Sequence, residues 1–247
     1  MSRELFPVAP REAAEMMVDP HDPNRRREGA LLIGNSLAGG AEANVNYYRD
    51  RVRAGEDDPG ARAAFIRALA KWGSADDAII IAPHLADRDN MQVRWEAARG
   101  LQRLHHPQVV PKLLETLGDA TEVGDVRTEV AYALGQYPED RVFQKLLEAL
   151  DARELAVNLA VMESLKTLTG QDFGLDPGPW FRWYRDAPER FASADSYRYP
   201  TFQRGETFFE KLAFWGKKQW EQPGIPAGLE PAGTRSTYGG AEETATP

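Results

Sequence analysis

The chain has 247 residues, 42% of them apolar and 28% charged, which is enough to bury the core of one or two soluble domains. Its formal net charge of -8 disfavours a general nucleic-acid coat protein, because affinity for phosphate backbones depends on clustered Lys and Arg. Since the sequence has no cysteine, it excludes a disulfide framework, a Cys-ligated zinc site and thiol catalysis.

The N-terminal segment, residues 1–21, is predicted to be partly helical. Charges at Arg3, Glu4, Arg11 and Glu12 interrupt the apolar run that a secretory signal requires. Nowhere in the chain does an apolar stretch approach the roughly 18 residues of a membrane span. We therefore expect a soluble or surface-attached protein.

An internal repeat is the strongest signal in the sequence. Five similar segments begin at Arg26, Arg62, Arg94, Arg127 and Asn158, at spacings of 36, 32, 33 and 31 residues. Small or apolar residues stand three, four and seven positions after each start, which is one face of a helix. These residues are Gly29/Ala30/Ile33, Phe65/Ile66/Leu69, Ala97/Ala98/Leu101, Val130/Ala131/Leu134 and Val161/Met162/Leu165.

Apolar-periodic stretches between the segments are predicted to be the first helix of each hairpin. They are bounded by Gly, Pro, Asp or Asn and read AEANVNYYRDRV, DDAIIIAPHLAD, PQVVPKLLETLG and EDRVFQKLLEALD. The pairs Asp22-Pro23 and Asp58-Pro59 place a capping side chain before a proline at the first helical position. Sustained period-2 alternation is lacking, so the sequence predicts an all-α chain of about five helical hairpins.

The segment Val93-Arg94, followed by Ala97, Ala98 and Leu101, resembles the second helix of a HEAT repeat, and the whole array is similar to the HEAT-repeat (PBS-lyase HEAT-like) family. The resemblance covers residues 22–170 and implies a right-handed α-solenoid, with armadillo or another helical repeat as the alternative. It also implies that an arginine in each second helix stacks neighbouring repeats. The matching residues are Arg26, Arg62, Arg94 and Arg127, whereas Asn158 departs from the pattern.

A second resemblance covers LTGQDFGLDPGPWFRWYRDAP, from Leu168 to Pro188, which looks like the closing element of bacterial HEAT-repeat proteins, especially those of planctomycetes. Because terminal repeats must cover an exposed apolar face, we expect residues 171–192 to be an aromatic C-terminal cap containing Phe173, Trp180 and Trp183. The planctomycete proteins often carry a lipoprotein signal and a modified cysteine. The expected location is cytoplasmic for the chain as it stands, or the envelope if such a signal has been removed.

In HEAT folds the second helices line the concave surface, and positions one, five and nine after the arginine lie opposite the core. Across the middle repeats these positions predict a basic and aromatic partner-binding stripe on an acidic protein. It suits an extended acidic segment, because guanidinium groups bind carboxylates bidentately and Trp and Tyr add contact area. The alternative is ordinary solvated helix residues. The predicted stripe consists of Arg67, Lys71, Trp95, Arg99, Arg103, Tyr132 and Gln136.

Enzymatic interpretations find less support. HEAT-like alkylpurine DNA glycosylases hold their substrate against a similar face, but here only Glu163 matches their acidic residue and no specific motif accompanies it. The adjacent His105 and His106 point about 100° apart on a helix and chelate poorly. No HExxH motif or HE pair supports a HEAT-like metal hydroxylase. We therefore expect a non-enzymatic protein without a metal or cofactor.

An aromatic arm, residues 193–221, follows the cap and leads to residues 222–247, which are predicted to be disordered because they are rich in Pro, Gly, Thr and Glu. Within residues 206–220 the arm fits an amphipathic helix that packs on the solenoid, binds a partner or lies on a membrane surface. Its apolar residues are Phe208, Phe209, Leu212, Trp215 and Trp220. The sequence thus predicts a protein-binding scaffold whose partner it does not identify, and nucleic acid is disfavoured.

Overall fold

The computed structural model describes residues 8–55, 58–192, 197–201 and 222–230. Short 3₁₀ turns at 37–40, 82–86 and 107–109 accompany the α-helices. Within the described residues the α-helices are α1 Pro10–Met17, α2 Pro23–Gly34, α3 Glu42–Ala54, α4 Pro59–Trp72, α5 Asp77–Ile81, α6 Met91–Leu101, α7 Val110–Gly118, α8 Gly124–Leu134, α9 Asp140–Ala149, α10 Leu155–Thr169 and α11 Pro177–Asp186.

The helices form two layers. The second helices α2, α4, α6, α8 and α10 pack against one another in chain order and make one row. The first helices α1, α3, α5, α7 and α9 each contact the second helix that follows them. The five repeated segments of the sequence fall in the row of second helices, so the predicted all-α solenoid of helical hairpins is confirmed.

The core lies between the two layers and follows the predicted positions. Phe65, Ile66 and Leu69 of α4 have no exposed surface, and Ala97, Ala98 and Leu101 of α6 are equally buried. These residues belong to one continuous apolar cluster that runs through the array. Burying such side chains is the main favourable term in folding, so the three-four-seven pattern fixes which face of each second helix points inward.

Small residues stand where consecutive second helices approach each other. A Cβ atom added to Gly34 of α2 would lie 3.0 Å from the Ala68 Cβ atom of α4. Likewise, a Cβ atom on Gly100 of α6 would lie 3.1 Å from the Ala70 Cβ atom of α4. Both distances are tighter than ordinary van der Waals contacts, so the close packing of the row depends on these small side chains.

Aspartate side chains cap α2, α4 and α11, each of which begins with proline. The Asp22 carboxylate accepts hydrogen bonds from the Asn24 and Arg25 backbone N–H groups, and the Asp58 carboxylate accepts one from Ala61. Asp176 caps α11 in the same manner through the Gly178 N–H. The caps satisfy N–H groups that the first helical turn leaves without partners and fix where these helices begin.

Arginines at the start of the repeated segments bond to the loop of the following repeat. Arg62 pairs with Asp87 at 2.6 Å, Arg94 pairs bidentately with Glu122 at 2.7 and 2.9 Å, and Arg127 approaches Glu154 at 3.4 Å. These ion pairs connect successive repeats.

Arg94 also donates to the Asp87 carbonyl oxygen of its own repeat, at 2.7 Å. In the first repeat Arg26 makes the matching bond to the Asp19 carbonyl at 3.0 Å. In the last repeat asparagine replaces the arginine, and the Asn158 side-chain amide donates to the Ala152 carbonyl, also at 3.0 Å. The side chain at this position therefore fastens the turn inside each of these hairpins.

Aromatic side chains cover the C-terminal end of the array. Trp180 of α11 is fully buried, and its indole N–H donates to the Gly174 carbonyl at 2.8 Å. The Phe143 ring of α9 stacks on Tyr184 with 4.4 Å between ring centroids, and Phe173 meets Trp180 edge to face. These rings shield the apolar surface that a terminal repeat would otherwise expose.

The C-terminal region differs in part from the sequence prediction. The sequence predicts disorder from Gln222 onward, but residues 222–230 lie against the loop after α6. The Ala227 backbone forms hydrogen bonds with this loop. Extended proline- and glycine-rich chain needs little side-chain burial when its backbone finds hydrogen-bond partners. The predicted arm residues Phe208, Phe209, Leu212, Trp215 and Trp220 lie outside the described residues, as do residues 1–7 and 231–247.

We predict that Arg94→Met lowers the free energy of unfolding by about 3–5 kcal/mol, because it leaves Glu122 as a buried charge without its guanidinium. The two side chains are only 11% and 8% exposed. Arg127→Met is the matched control, since Glu154 is 46% exposed, and its loss should be about 1 kcal/mol. Urea denaturation measures both. Equal losses in the two variants would contradict the assignment of Arg94 to a buried repeat contact.

Candidate functional site

The outward side of α4, α6 and α8 carries most of the predicted basic and aromatic residues. Side chains four positions apart lie one above the other on a helix, so each second helix presents a short column, and adjacent helices place the columns side by side. We call this surface the second-helix stripe. It consists of Arg67, Lys71, Trp95, Arg99 and Tyr132 on these helices, together with Arg103 in the turn that follows α6.

A buried carboxylate holds Arg67. The guanidinium of Arg67 on α4 contacts both carboxylate oxygens of Glu96 on α6, with 3.1 Å between Nε and Oε2. The arginine side chain is 44% exposed and the glutamate only 4%. The pair therefore bridges two repeats, with its negative group inside and its positive group toward solvent.

Trp95 and Arg99 form a stacked pair one turn apart on α6. The Arg99 guanidinium carbon lies 4.7 Å from the centre of the Trp95 ring, within the range of a cation–π interaction. Trp95 is half-buried and also packs against the core cluster. One side of the indole therefore contributes to the packing of the solenoid, while the rest of it belongs to the stripe.

Beneath the stripe lies a second carboxylate, Glu129 of α8. The Gln102 amide donates to its Oε2 atom at 2.6 Å and to its backbone carbonyl at 2.9 Å. Burial raises the pKa of the Glu129 carboxyl, and nearby Glu96 and Asp125 add to the rise, while Gln102 and Arg99 oppose it. Burial likewise raises the pKa of the Tyr132 phenol, with Glu129 and Glu163 contributing.

The sequence analysis missed the two acidic residues beneath the stripe. Glu96 and Glu129 each stand two positions after the repeat arginine, and three positions before Arg99 and Tyr132. This i, i+3 spacing places each glutamate beside a stripe residue on the same helix. This spacing is visible in the sequence, and it predicts that carboxylates lie next to the cations of the stripe.

Gln136 does not line the stripe, which corrects the sequence prediction. Its side chain has no exposed surface, and its amide donates to the Leu101 carbonyl at 2.8 Å. The amide oxygen also lies 3.2 Å from Nδ1 of His105. Because α8 ends at Leu134, the helical spacing that predicted an outward Gln136 no longer applies at that position.

A shallow groove extends the stripe toward the first repeat. It lies between α2 and α4, where Leu31 and Asn35 face Arg67 and Lys71. Leu31 and Asn35 occupy positions five and nine after Arg26. The outward positions five and nine of α2 therefore lie next to those of α4.

Residues that would carry enzymatic chemistry are dispersed. Glu163 is exposed on α10 and pairs with Lys166 at 3.3 Å. His105 stacks on Tyr137 with 4.7 Å between ring centroids, and His84 Nε2 lies 3.1 Å from the Val52 carbonyl. Burial lowers the pKa of His84. Within the described part of the chain, His, Asp and Glu side chains form no group that could hold a metal ion.

We predict that Glu129→Gln is more stable than the natural protein at neutral pH and that this advantage shrinks as the pH falls. The pKa of Glu129 is higher in the folded protein than its ordinary value of 4.5. The Glu129 carboxyl therefore contributes fully to the free energy of unfolding at a pH below 4.5, and this contribution is lost as the pH rises through the folded-state pKa. Urea denaturation across this pH range measures the difference. Glu115→Gln, which removes an exposed carboxylate, controls for the charge change. An advantage that grows toward acid pH would contradict the assigned burial.

None of the described helices is long and apolar enough to cross a membrane. A search of curated proteins finds no match. Among solved structures the chain resembles human deoxyhypusine hydroxylase in complex with glycerol, with 18% sequence identity and a TM-score of 0.43. That similarity covers 62% of this chain and 71% of the hydroxylase chain.

The family model of HEAT repeats matches residues 80–166, a range that includes the hairpins formed by α7 with α8 and by α9 with α10. On both sides of this range the same two-layer arrangement continues, through α4 and α2 in one direction and α11 in the other. Residues 80–166 therefore match HEAT repeats, and the stacked hairpins on both sides continue the same helical-repeat architecture.

Proposed function

We propose that the chain is a non-enzymatic scaffold that holds an extended, acidic segment of a partner protein on the second-helix stripe. The observation that carries this proposal is the layering of charge at the stripe. Arg67 stands outward over the buried Glu96, and Arg99 lies on Trp95 within electrostatic range of the half-buried Glu129. HEAT repeats form helical repeat scaffolds, and this layering indicates which face of the scaffold would be used.

The buried carboxylate of Glu96 favours binding by fixing the Arg67 guanidinium before a partner arrives. A lone arginine loses side-chain entropy when it binds, whereas Arg67 is already oriented by two contacts with Glu96. A guanidinium has five N–H donors, so two contacts inside leave others for a carboxylate outside. The same buried charges limit the affinity, because they partly neutralise the stripe.

Aromatic side chains add contact area between the cations. Trp95 is held by the core on one side and by Arg99 on the other, and Tyr132 is half-buried on the next helix. Rigid aromatic rings contribute strongly to protein interfaces because little entropy is lost when they bind. A partner segment with apolar or aromatic residues between its acidic ones would therefore fit better than a uniformly acidic one.

The repeat geometry favours an extended partner. Packed helices lie about 8–10 Å apart. An extended chain advances about 3.3 Å per residue, so about three of its residues span one repeat. Acidic residues three positions apart would then meet Arg67 on α4 and Arg99 on α6.

This proposal predicts that Lys71→Gln with Arg99→Gln weakens binding of an acidic peptide by about tenfold, since each lost contact contributes about 0.5–1 kcal/mol. The probe is a fluorescein-labelled peptide with glutamate at every third position, and fluorescence anisotropy measures its affinity. The matched control is Lys112→Gln with Arg141→Gln, which removes the same charge from α7 and α9 in the other layer.

The control variant should bind as the natural protein does, and a peptide with lysine in place of glutamate should not bind. If both double variants bind the acidic peptide equally well, the stripe is not the site. Absence of any binding by the natural protein would reject an acidic partner altogether.

A further inference from the structure

Two stretches from the C-terminal part of the chain lie on the solenoid at one end of the stripe. We call residues 197–201 and 222–230 together the strap. The Ala227 N–H donates to the Arg103 carbonyl and the His105 N–H donates to the Ala227 carbonyl, both at 2.8 Å. Leu104 and Ala227 thereby form a parallel β-bridge. The strap is bound through its backbone, as peptides bind when they add to an exposed chain.

A further hydrogen bond joins the two stretches to each other. The Tyr199 N–H donates to the Gly224 carbonyl at 3.0 Å, so the first stretch is held against the second. The Arg103 guanidinium carbon lies 4.7 Å from the centre of the Tyr199 ring. A cation of the stripe is thus covered by an aromatic ring of the strap.

Tyr197 and Pro226 are the buried residues among the described strap positions. Tyr197 is only 4% exposed. Burial raises the pKa of the Tyr197 phenol well above the ordinary value. Tyr137, Glu129 and Tyr132 are close enough to add to that rise. Arg103 opposes the rise, so the buried phenol of Tyr197 lies within electrostatic range of both the cation and the glutamate at this end of the stripe.

We propose that the strap is an intramolecular occupant of the Arg103 end of the second-helix stripe, and that an acidic partner segment displaces it to reach Arg103 and Tyr132. This inference rests on the proposed function, because it assigns regulation to the same surface. A docked strap blocks part of the stripe. The affinity measured for a partner therefore depends on the fraction of molecules in which the strap is released.

The contacts of the strap are suited to a displaceable ligand. The hydroxyl oxygen of Tyr197 is buried and has no hydrogen-bond partner within the described ranges. Such an unsatisfied group costs about 1–3 kcal/mol. A partner that places a carboxylate near Arg103 forms a charge-assisted hydrogen bond, which competes with the cation–π contact between Arg103 and Tyr199.

Gly228 offers a way to release the strap without altering any residue of the stripe. Its φ angle is 87°, and an added Cβ atom would lie 2.5 Å from the Ala75 Cβ atom and 2.8 Å from the His105 carbonyl oxygen. Gly228→Val should therefore push this stretch off the solenoid. Gly55→Val is the matched control, since Gly55 has a φ angle of 66° but nothing within 4 Å of an added Cβ atom.

The experiment compares both full-length variants with the natural protein, using anisotropy with the acidic peptide and hydrogen exchange of the His105 amide. In Gly228→Val the amide should lose protection, and the peptide should bind about three- to tenfold more tightly. Gly55→Val should change neither measurement.

The inference alone is overturned if Gly228→Val exposes the His105 amide and leaves the peptide affinity unchanged or weaker. It is also overturned if the His105 amide of the natural protein is already unprotected, because the strap is then not docked. If the peptide binds neither the natural protein nor Gly228→Val, the proposed function fails and the regulation fails with it.

Discussion

Close packing between consecutive second helices determines where every other feature of this protein lies. Gly34 and Gly100 stand against Ala68 and Ala70, where a larger side chain would force the helices apart. The short separation lets Arg67 on α4 reach Glu96 on α6. The row of second helices is therefore both the centre of the core and a continuous outer surface, and a change in helix spacing would alter both.

Regular parts of the fold could be predicted because they depend on local chemistry. Positions three, four and seven after each repeat arginine are apolar or small, and α4 and α6 bury them completely. Asp22 and Asp58 cap helices that begin with proline, as their order in the sequence predicts. Each of these features depends on residues a few positions apart, so helical periodicity and capping rules are sufficient to find them.

The parts that could not be predicted depend on contacts between distant residues. Gln136 stands at the right spacing for the stripe, but α8 ends before it and its amide bonds to Leu101 in the preceding repeat. Residues 222–230 have the composition of a disordered tail, yet Ala227 pairs with the backbone near Leu104. No periodicity marks such a pairing, because a proline- and glycine-rich segment binds through its main chain instead of an apolar face.

The glutamates beneath the stripe change which anions the stripe can bind. A row of cations alone would attract any anion, including nucleic acid, whereas Arg67 over Glu96 presents an oriented and partly neutralised donor. Such a surface gives up affinity and favours a partner whose carboxylates match the spacing of the helices. The strap adds a competing occupant at the Arg103 end. Selective binding of one segment, with modest affinity, is the behaviour that this arrangement favours.

The central claim is that a partner segment lies on the row of second helices. Because the chain has no cysteine, a single one can be introduced and labelled with a benzophenone photo-crosslinker. The decisive measurement compares crosslinking of the acidic peptide from Lys71→Cys on α4 and from Lys112→Cys on α7 in the opposite layer. The account predicts crosslinks from position 71 and none from position 112. Equal crosslinking from both positions, or crosslinking from position 112 alone, would contradict it.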